Sequence, residues 1–374
     1  MKFKVSSTLL CERLQTAAKF VPAKPALPIY GYFLFVVEGS KLTITASDAD
    51  TTLVTSIDIE NLGGDGRVAL QSRILSEGLK DFREQSLVFD IDDHNFNVQL
   101  TSENGKYNFM GQNASDYVEF AGLNADDTCA FSISSSKLVD AISKTAYAVA
   151  NDEIRPIMNG ICFHFNEAEG LNVVATDGHR LSKVTLDEHP GINSGFVFPQ
   201  KPANLLKGVL SKEVGDVQIS FDKKFIVCQM PAYTLFTRQI EGNYPNYGAV
   251  IPTSTPVSAI VNRETMLSAL RRVQVCSDQG SNLIKVTISN NQIKIAGQDI
   301  DFAVSGEEVI PCSYEGADMM IGFKSTLLVD ILNNLDSVDV EIHLTDQSRP
   351  GVIIPVQQKE GMNILMLAMP MMLA

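Results

Sequence analysis

The residues best suited to chemistry sit in one short run, Val174-Ala-Thr-Asp-Gly-His-Arg-Leu181. The run ends an apolar strand pattern (Leu171, Val173, Val174), turns at Asp177-Gly178, and presents His179 and Arg180 beside Leu181. Asp-Gly signals a turn because Gly takes φ > 0 without a Cβ clash. Asp177 and His179 invite comparison with an acid–base pair. No Ser or Cys nucleophile motif stands near them. The chain has no G-x-S-x-G, Walker loop, G-x-G-x-x-G or H-E-x-x-H. His94, His164, His189 and His343 show no ligand spacing, and Cys11, Cys129, Cys162, Cys228, Cys276 and Cys312 stand singly, with no Cys-x-x-Cys. Asp177 is therefore read as capping its own turn. The chain reads as a binding protein, not an enzyme, with no metal and no cofactor.

The elements that position this run are written three times. Val5-Ser-Ser-Thr-Leu-Leu10 lines up with Ile133-Ser-Ser-Ser-Lys-Leu138 and Val261-Asn-Arg-Glu-Thr-Met266, each 128 residues after the last. A helical apolar face follows each: Leu10, Leu14 and Ala17; Leu138, Ile142 and Thr145; Met266, Leu270 and Val273. The polar residues ahead of each face suit an N-cap. Alternating runs then predict strands at 33–37, 42–45 and 51–59, at 160–165, 171–175 and 181–186, and at 283–288, 292–296 and 301–309. Gly39-Ser, Glu169-Gly and Asn290-Asn supply hairpin turns. A second strand–helix–strand half completes each copy, with helices predicted over 72–84, 201–213 and 324–336. The fold class is α+β: three tandem domains, 1–125, 126–253 and 254–374, each made of two βαββ-type halves.

Net charge is −14 over 374 residues, which argues against a general nucleic-acid coat or a membrane-surface protein. The charge is uneven, however. The six predicted helices carry +5 together and the remainder −19. Basic helices lining one shared surface would face a polyanion while the acidic exterior repels it. Six helices packed ~10 Å apart enclose a hole of only ~9 Å, whereas twelve, from two chains, enclose roughly 28 Å, wide enough for duplex DNA. The N-terminus has no long apolar region and no apolar run approaches ~18 residues, so neither export nor membrane spanning is expected. Reduced thiols packed as small hydrophobes fit a cytoplasmic protein.

The order and spacing of Met1-Lys-Phe, Lys24-Pro-Ala-Leu-Pro28, Met158-Asn-Gly160, Ala175-Thr-Asp-Gly-His-Arg-Leu181, Tyr244-Pro-Asn-Tyr247, Ile321-Gly-Phe323, Leu344-Thr-Asp346 and Met369-Pro-Met371 resemble the bacterial DNA polymerase III β subunit, the replicative sliding clamp, over the whole chain. The resemblance implies three copies of the DNA clamp domain. They would close as a head-to-tail dimeric ring, helices inside and sheets outside. It implies a processivity factor that encircles duplex DNA topologically, without sequence preference. Its partners would be the DNA polymerase III catalytic subunit, the clamp loader, and other polymerases and repair proteins with clamp-binding motifs. A clamp-fold scaffold that is not loaded on DNA is the alternative.

By the same resemblance a peptide-binding groove draws on Met158, Thr176, Gly178, His179, Arg180, Leu181, Pro245, Val250, Ser348, Met369, Pro370, Met371 and Leu373, with His179 and Arg180 framing its rim. Methionine is flexible and polarisable, suited to several partners. Ala249, Pro350 and Met372 depart from the family pattern and make the groove more apolar. The dimer interface is expected at Tyr107 and Phe109 of one chain against Val275 and Cys276 of the other. Phosphate contacts are expected at Lys24, Arg73, Arg155 and Lys201.

Overall fold

The 128-residue offset returns as three helices that begin at Ser7, Ser135 and Arg263. They belong to a set of six among the described residues: α1 (Ser7–Ala17), α2 (Ser72–Gly78), α3 (Ser135–Thr145), α4 (Gln200–Leu210), α5 (Arg263–Gln274) and α6 (Ser325–Asn333). The computed structural model describes residues 1–117, 120 and 122–373. Strand-to-helix junctions are capped where the polar clusters predict it. Ser6 Oγ accepts from Leu9 N at 3.2 Å, and Asn262 Oδ1 accepts from Thr265 N at 3.0 Å. The helices are shorter than the apolar spacing suggested. The largest miss is α2, expected to reach Glu84 but ending at Gly78. The apolar residue that prolonged the pattern, Phe82, packs edge-on against Tyr107 instead, ring centroids 5.9 Å apart. Over the observed bounds the helices still carry a net positive charge in an acidic chain.

Packing groups the described residues into two compact units, one of residues 1–136 with 205–239, the other of 137–204 with 240–374. Each unit holds one five-stranded and one eight-stranded antiparallel sheet. In the first unit the five strands run Glu60–Asn61, Lys2–Ser6, Ser86–Ile91, Asn97–Thr101 and Lys106–Met110. The eight run Cys129–Ser134, Asp216–Phe221, Phe225–Gln229, Tyr233–Arg238, Thr51–Asp58, Lys41–Ser47, Tyr32–Glu38 and Gly66–Gln71. In the second unit the eight run Gly195–Pro199, Gly160–Asn166, Gly170–Thr176, Arg180–Leu186, Met362–Ala368, Gly351–Pro355, Asp339–Leu344 and Val257–Asn262. The five run Val304–Pro311, Gln292–Asp299, Leu283–Ser289, Met319–Lys324 and Pro370–Met371.

Both eight-stranded sheets obey one rule. The last long strand of a repeat lies antiparallel on the fourth strand of the repeat before it, with Thr237 opposite Thr51 in one sheet and Ala368 opposite Arg180 in the other. Past its last strand the chain turns back to the strand that leads into its own second helix. Gln112 bridges Ala69, Ile240 N donates to Val197 O at 3.0 Å, and Met371 stands opposite Gly322. The strand expected at 301–309 begins only at Val304, because residues 300–303 are taken up by a turn.

The Asp-Gly turn is not confined to the middle copy. Thr176 Oγ1 accepts from Gly178 N at 3.1 Å and Asp177 Oδ1 accepts from Arg180 N at 2.9 Å. In the first copy Ser47 Oγ accepts from Ala49 N at 3.2 Å and Asp48 Oδ1 accepts from Thr51 N at 2.9 Å. Gly178 and Ala49 share a left-handed backbone, φ 87° and 84°. What distinguishes the copies is what the turn presents. Since a Cβ is strained at that φ, Ala49→Gly is expected to stabilise the chain by about 0.5–1 kcal/mol, net of the greater chain entropy of Gly. Chemical denaturation checks this: an unchanged or lower midpoint would show that Ala49 carries no strain.

Candidate apolar groove and open sheet edges

Alternation along Arg180–Leu186 turns Leu181 into an apolar cluster. Its buried members are Cys162, Val174, Leu181 and Val197 from the middle repeat and Val352 and Leu367 from the third. Ile157, Ile240, Tyr244, Tyr247, Ile251, Ile354, Leu365 and Met369 pack against it half-covered. A buried floor with a partly exposed apolar margin is the surface a short apolar peptide segment can complete. The turn at its edge is rigid. Asp177 Oδ1 accepts from both His179 N and Arg180 N at 2.9 Å, so the carboxylate caps its own turn as its sequence position suggests. Thr176 is held twice, its N–H donating to Tyr244 Oη at 3.2 Å and its hydroxyl to Arg180 O at 2.7 Å.

The C-terminal tail joins this edge. Met369 N donates to His179 O at 2.8 Å, after which Pro370–Met371 pairs with Met319–Lys324. A Cβ on Gly322 would lie 2.5 Å from Met371 O and 2.9 Å from Leu373 Cδ2, so the close approach of the tail requires glycine there. Of the remaining groove residues, Met158 is buried, and Pro245, Val250 and Ser348 are exposed. Ser348 caps a turn, its N–H and hydroxyl donating to Asp346 Oδ1 at 2.8 and 2.7 Å. Of the Tyr244-Pro-Asn-Tyr247 motif, Pro245 is the residue expected in the groove, yet Tyr244 and Tyr247 are the ones that pack on its floor. Both tyrosine rings belong to the wall.

Two arginines are not where they were expected. Arg180 does not frame the rim. Strand alternation puts it on the sheet face opposite Leu181, only 16% exposed, where it pairs with Asp177 at 3.0 Å and with Asp330 of α6 and lies over the Tyr147 ring. Arg155, expected to face phosphates, instead rests against the turn. Its Nε donates to Asp152 Oδ2 at 2.9 Å, and a Cβ on Gly178 would sit 3.8 Å from both its terminal nitrogens. Spacing alone could not show this, because Asp330 is 150 residues from Arg180. Lys24, Arg73 and Lys201 are exposed, and Lys24 and Arg73 form no ion pair among the described residues.

The two five-stranded sheets each end in an open edge. Lys106–Met110 ends one, with Tyr107 and Phe109 on one face by alternation. Val304–Pro311 ends the other. Val275, at the end of α5, is exposed, and Cys276 packs beneath that second edge, its Sγ 2.8 Å from where a Gly306 Cβ would stand.

Three models of one family match the chain in tandem: the N-terminal domain of the DNA polymerase III beta subunit over residues 1–121, the central domain over 132–246 and the C-terminal domain over 248–372. The beta sliding clamp of Synechococcus elongatus is 27% identical, covering 95% of this chain and 96% of that one. That of Pseudomonas aeruginosa is 26% identical, covering 98% and 99%. The sliding clamp from Bartonella birtlesii, solved bound to griselimycin, aligns over the whole of both chains at TM-score 0.90 and 26% identity. A Pseudomonas aeruginosa clamp structure aligns equally completely at TM-score 0.92, and at 24% identity it speaks for the fold.

Burial pushes the Cys162 thiol up to about 12 and the Tyr247 hydroxyl up to about 12, and lifts Tyr244 still higher. A buried thiol so protonated is inert at neutral pH. With its pKa moved from 9.0 to about 12, Cys162 carries on the order of 1,000-fold less thiolate at pH 8 than a free thiol. In a variant keeping only Cys162, labelling by a thiol reagent is expected to be slower by about that factor in the native protein than in urea. Comparable rates would mean that the groove floor is open to solvent.

Proposed function

Because the chain belongs to the DNA polymerase III beta subunit family, whose members are non-enzymatic sliding clamps, we propose that it is a processivity clamp working through the Leu181 groove. The observation that carries this is the apolar cluster shared by the second and third repeats and tied to the C-terminal tail through Met369 N and His179 O. Leu or Phe anchors of short linear motifs, from the DNA polymerase III catalytic subunit, the clamp loader and other polymerases and repair proteins, fill it. Arg155 and His179 stand at its rim, and Arg180 stabilises the turn from behind. Domain limits at 1–125, 126–253 and 254–374 fit both the repeats and the sheet rule. A cytoplasmic location fits this function.

The same rule supports ring closure. Strand positions counted from the second helix of each repeat make Phe109 the counterpart of Thr237 and Ala368, and Val304 the counterpart of Thr51 and Arg180. Two copies meeting head to tail then pair Phe109 with Val304, Tyr107 with Gly306 and Lys106 with Glu307. A ring against a glycine and a lysine opposite a glutamate are complementary pairs. Twelve helices line the hole, and Lys24, Arg73 and Lys201 touch phosphates there without reading sequence.

Retention on DNA tests the clamp. Loaded protein should stay on a nicked circle and leave the same DNA once it is cut; equal retention on both would exclude topological binding. Deleting residues 369–374 removes the tail side of a slot in which each buried anchor contributes ~1.5–3 kcal/mol. Affinity for a polymerase-derived peptide should fall at least about tenfold while the dimer persists. Full affinity in the truncated chain would place the groove elsewhere. The double variant Tyr107→Ala, Phe109→Ala should sediment as a monomer, and an intact dimer would rule out this edge.

A further inference from the structure

The turn between Gln292–Asp299 and Val304–Pro311 carries two apolar side chains that nothing in its own chain covers: Ile300 is 81% exposed and Phe302 76%. Its counterparts in the first two repeats are the turns of Asp48-Ala49-Asp50 and Asp177-Gly178-His179, which present small, acidic or imidazole groups. Those turns place three residues between the paired strands, and the third repeat places four, Ile300 to Ala303. The longer turn is also the apolar one. The loop is also built firmly. Asp299 is buried and its carboxylate accepts from Phe302 N at 3.1 Å, while Ala303 N donates to Ile300 O at 3.3 Å.

We propose that Ile300 and Phe302 form an apolar latch that closes over Met110 of a second copy of this chain. The inference rests on the ring reading above and adds to it the residues that hold the ring shut. Both junctions within the chain show where the incoming strand arrives. Arg238 N donates to Asp50 O at 3.0 Å, and Met369 N donates to His179 O at 2.8 Å. By strand position, Met110 is the counterpart of Arg238 and Met369, and Ala303 the counterpart of Asp50 and His179. An incoming Lys106–Met110 edge thus brings Met110 N to Ala303 O, beside Phe302. Met110 is itself 62% exposed, an unbranched thioether suited to an aromatic face. Exposed apolar groups on both edges, at positions the repeat brings together, mark an interface, whereas either set alone would invite aggregation.

Sedimentation of a dilution series of the full chain tests the latch. Phe302→Asp should weaken the dimer by about 10- to 100-fold, the effect of uncovering one large apolar side chain. Its affinity for a groove peptide should stay unchanged. Met110→Glu should weaken the dimer similarly, and Phe302→Lys combined with Met110→Glu should recover part of the loss, which a merely structural role would not allow. A dimeric wild type with an unweakened Phe302→Asp variant, or a double variant no tighter than either single one, overturns the latch and leaves the ring standing. A wild type that is monomeric at every concentration overturns the ring, and the latch with it.

Discussion

The architecture rests on one interaction, the antiparallel laying of each repeat's last long strand on the fourth strand of the repeat before. It is a backbone interaction. The ladder needs strand register and alternation, and few particular side chains, so the repeats can diverge widely and still join. Thr237 meets Thr51 in one sheet and Ala368 meets Arg180 in the other, two unrelated pairs at one geometric position. A rule of this kind applied to three copies leaves one last long strand and one fourth strand without partners from a neighbouring repeat. These are Lys106–Met110 and Val304–Pro311, and a monomer must expose both. Unpaired edges with apolar side chains are a hazard unless something pairs with them.

The same rule explains why a groove opens where it does. After its last strand each of the first two repeats runs on into a linker that covers the repeat's own sheet. Ala114 and Tyr117 pack over Ile29, Leu34 and Ala69, and Tyr244, Tyr247 and Ile251 pack over Cys162, Val174 and Val197. The sheet of the third repeat lacks the apolar pair at the same positions: Lys285 stands where Leu34 and Cys162 stand, and Gly322 where Ala69 and Val197 stand. Only at the second junction does a linker wall of tyrosines face the free tail of Met369–Leu373. The tail is the third instance of the returning segment, closing its sheet and bordering the groove at once.

What the sequence made legible follows from the range of the forces involved. Local signals were faithful: the 128-residue offset placed three helix starts, and Asp177 capped its turn as its type and position imply. The Ala49 turn was missed because glycine is the usual marker of a left-handed residue, and here two side-chain acceptors hold an alanine there. The ends of α2 and of the third repeat's last hairpin strand differ from expectation, since Phe82 and Phe302 continue an apolar period without joining the core it implies. The side-chain directions of Arg155 and Arg180 were not legible in the sequence. Side-chain direction depended on Asp152 nearby and on Asp330 far along the chain, and an arginine's charge says nothing of which carboxylate holds it.

Arg180 behind the sheet also bears on how few anchors a peptide needs. On the helix side of the second junction Arg180 pairs with Asp330, Lys144 with Asp336, and Lys359 with Asp140. Exposed pairs of this sort contribute about 0–1 kcal/mol each, so their stabilising effect is modest. Lys144 and Arg180 are the exceptions, their side chains being largely buried, and leaving either unpaired would be costly. Together with the strand ladder they fix the two halves of the groove before any peptide arrives. Binding then orders the peptide alone, and little of the anchors' burial energy is offset by assembling the site. One or two apolar anchors suffice in such a slot.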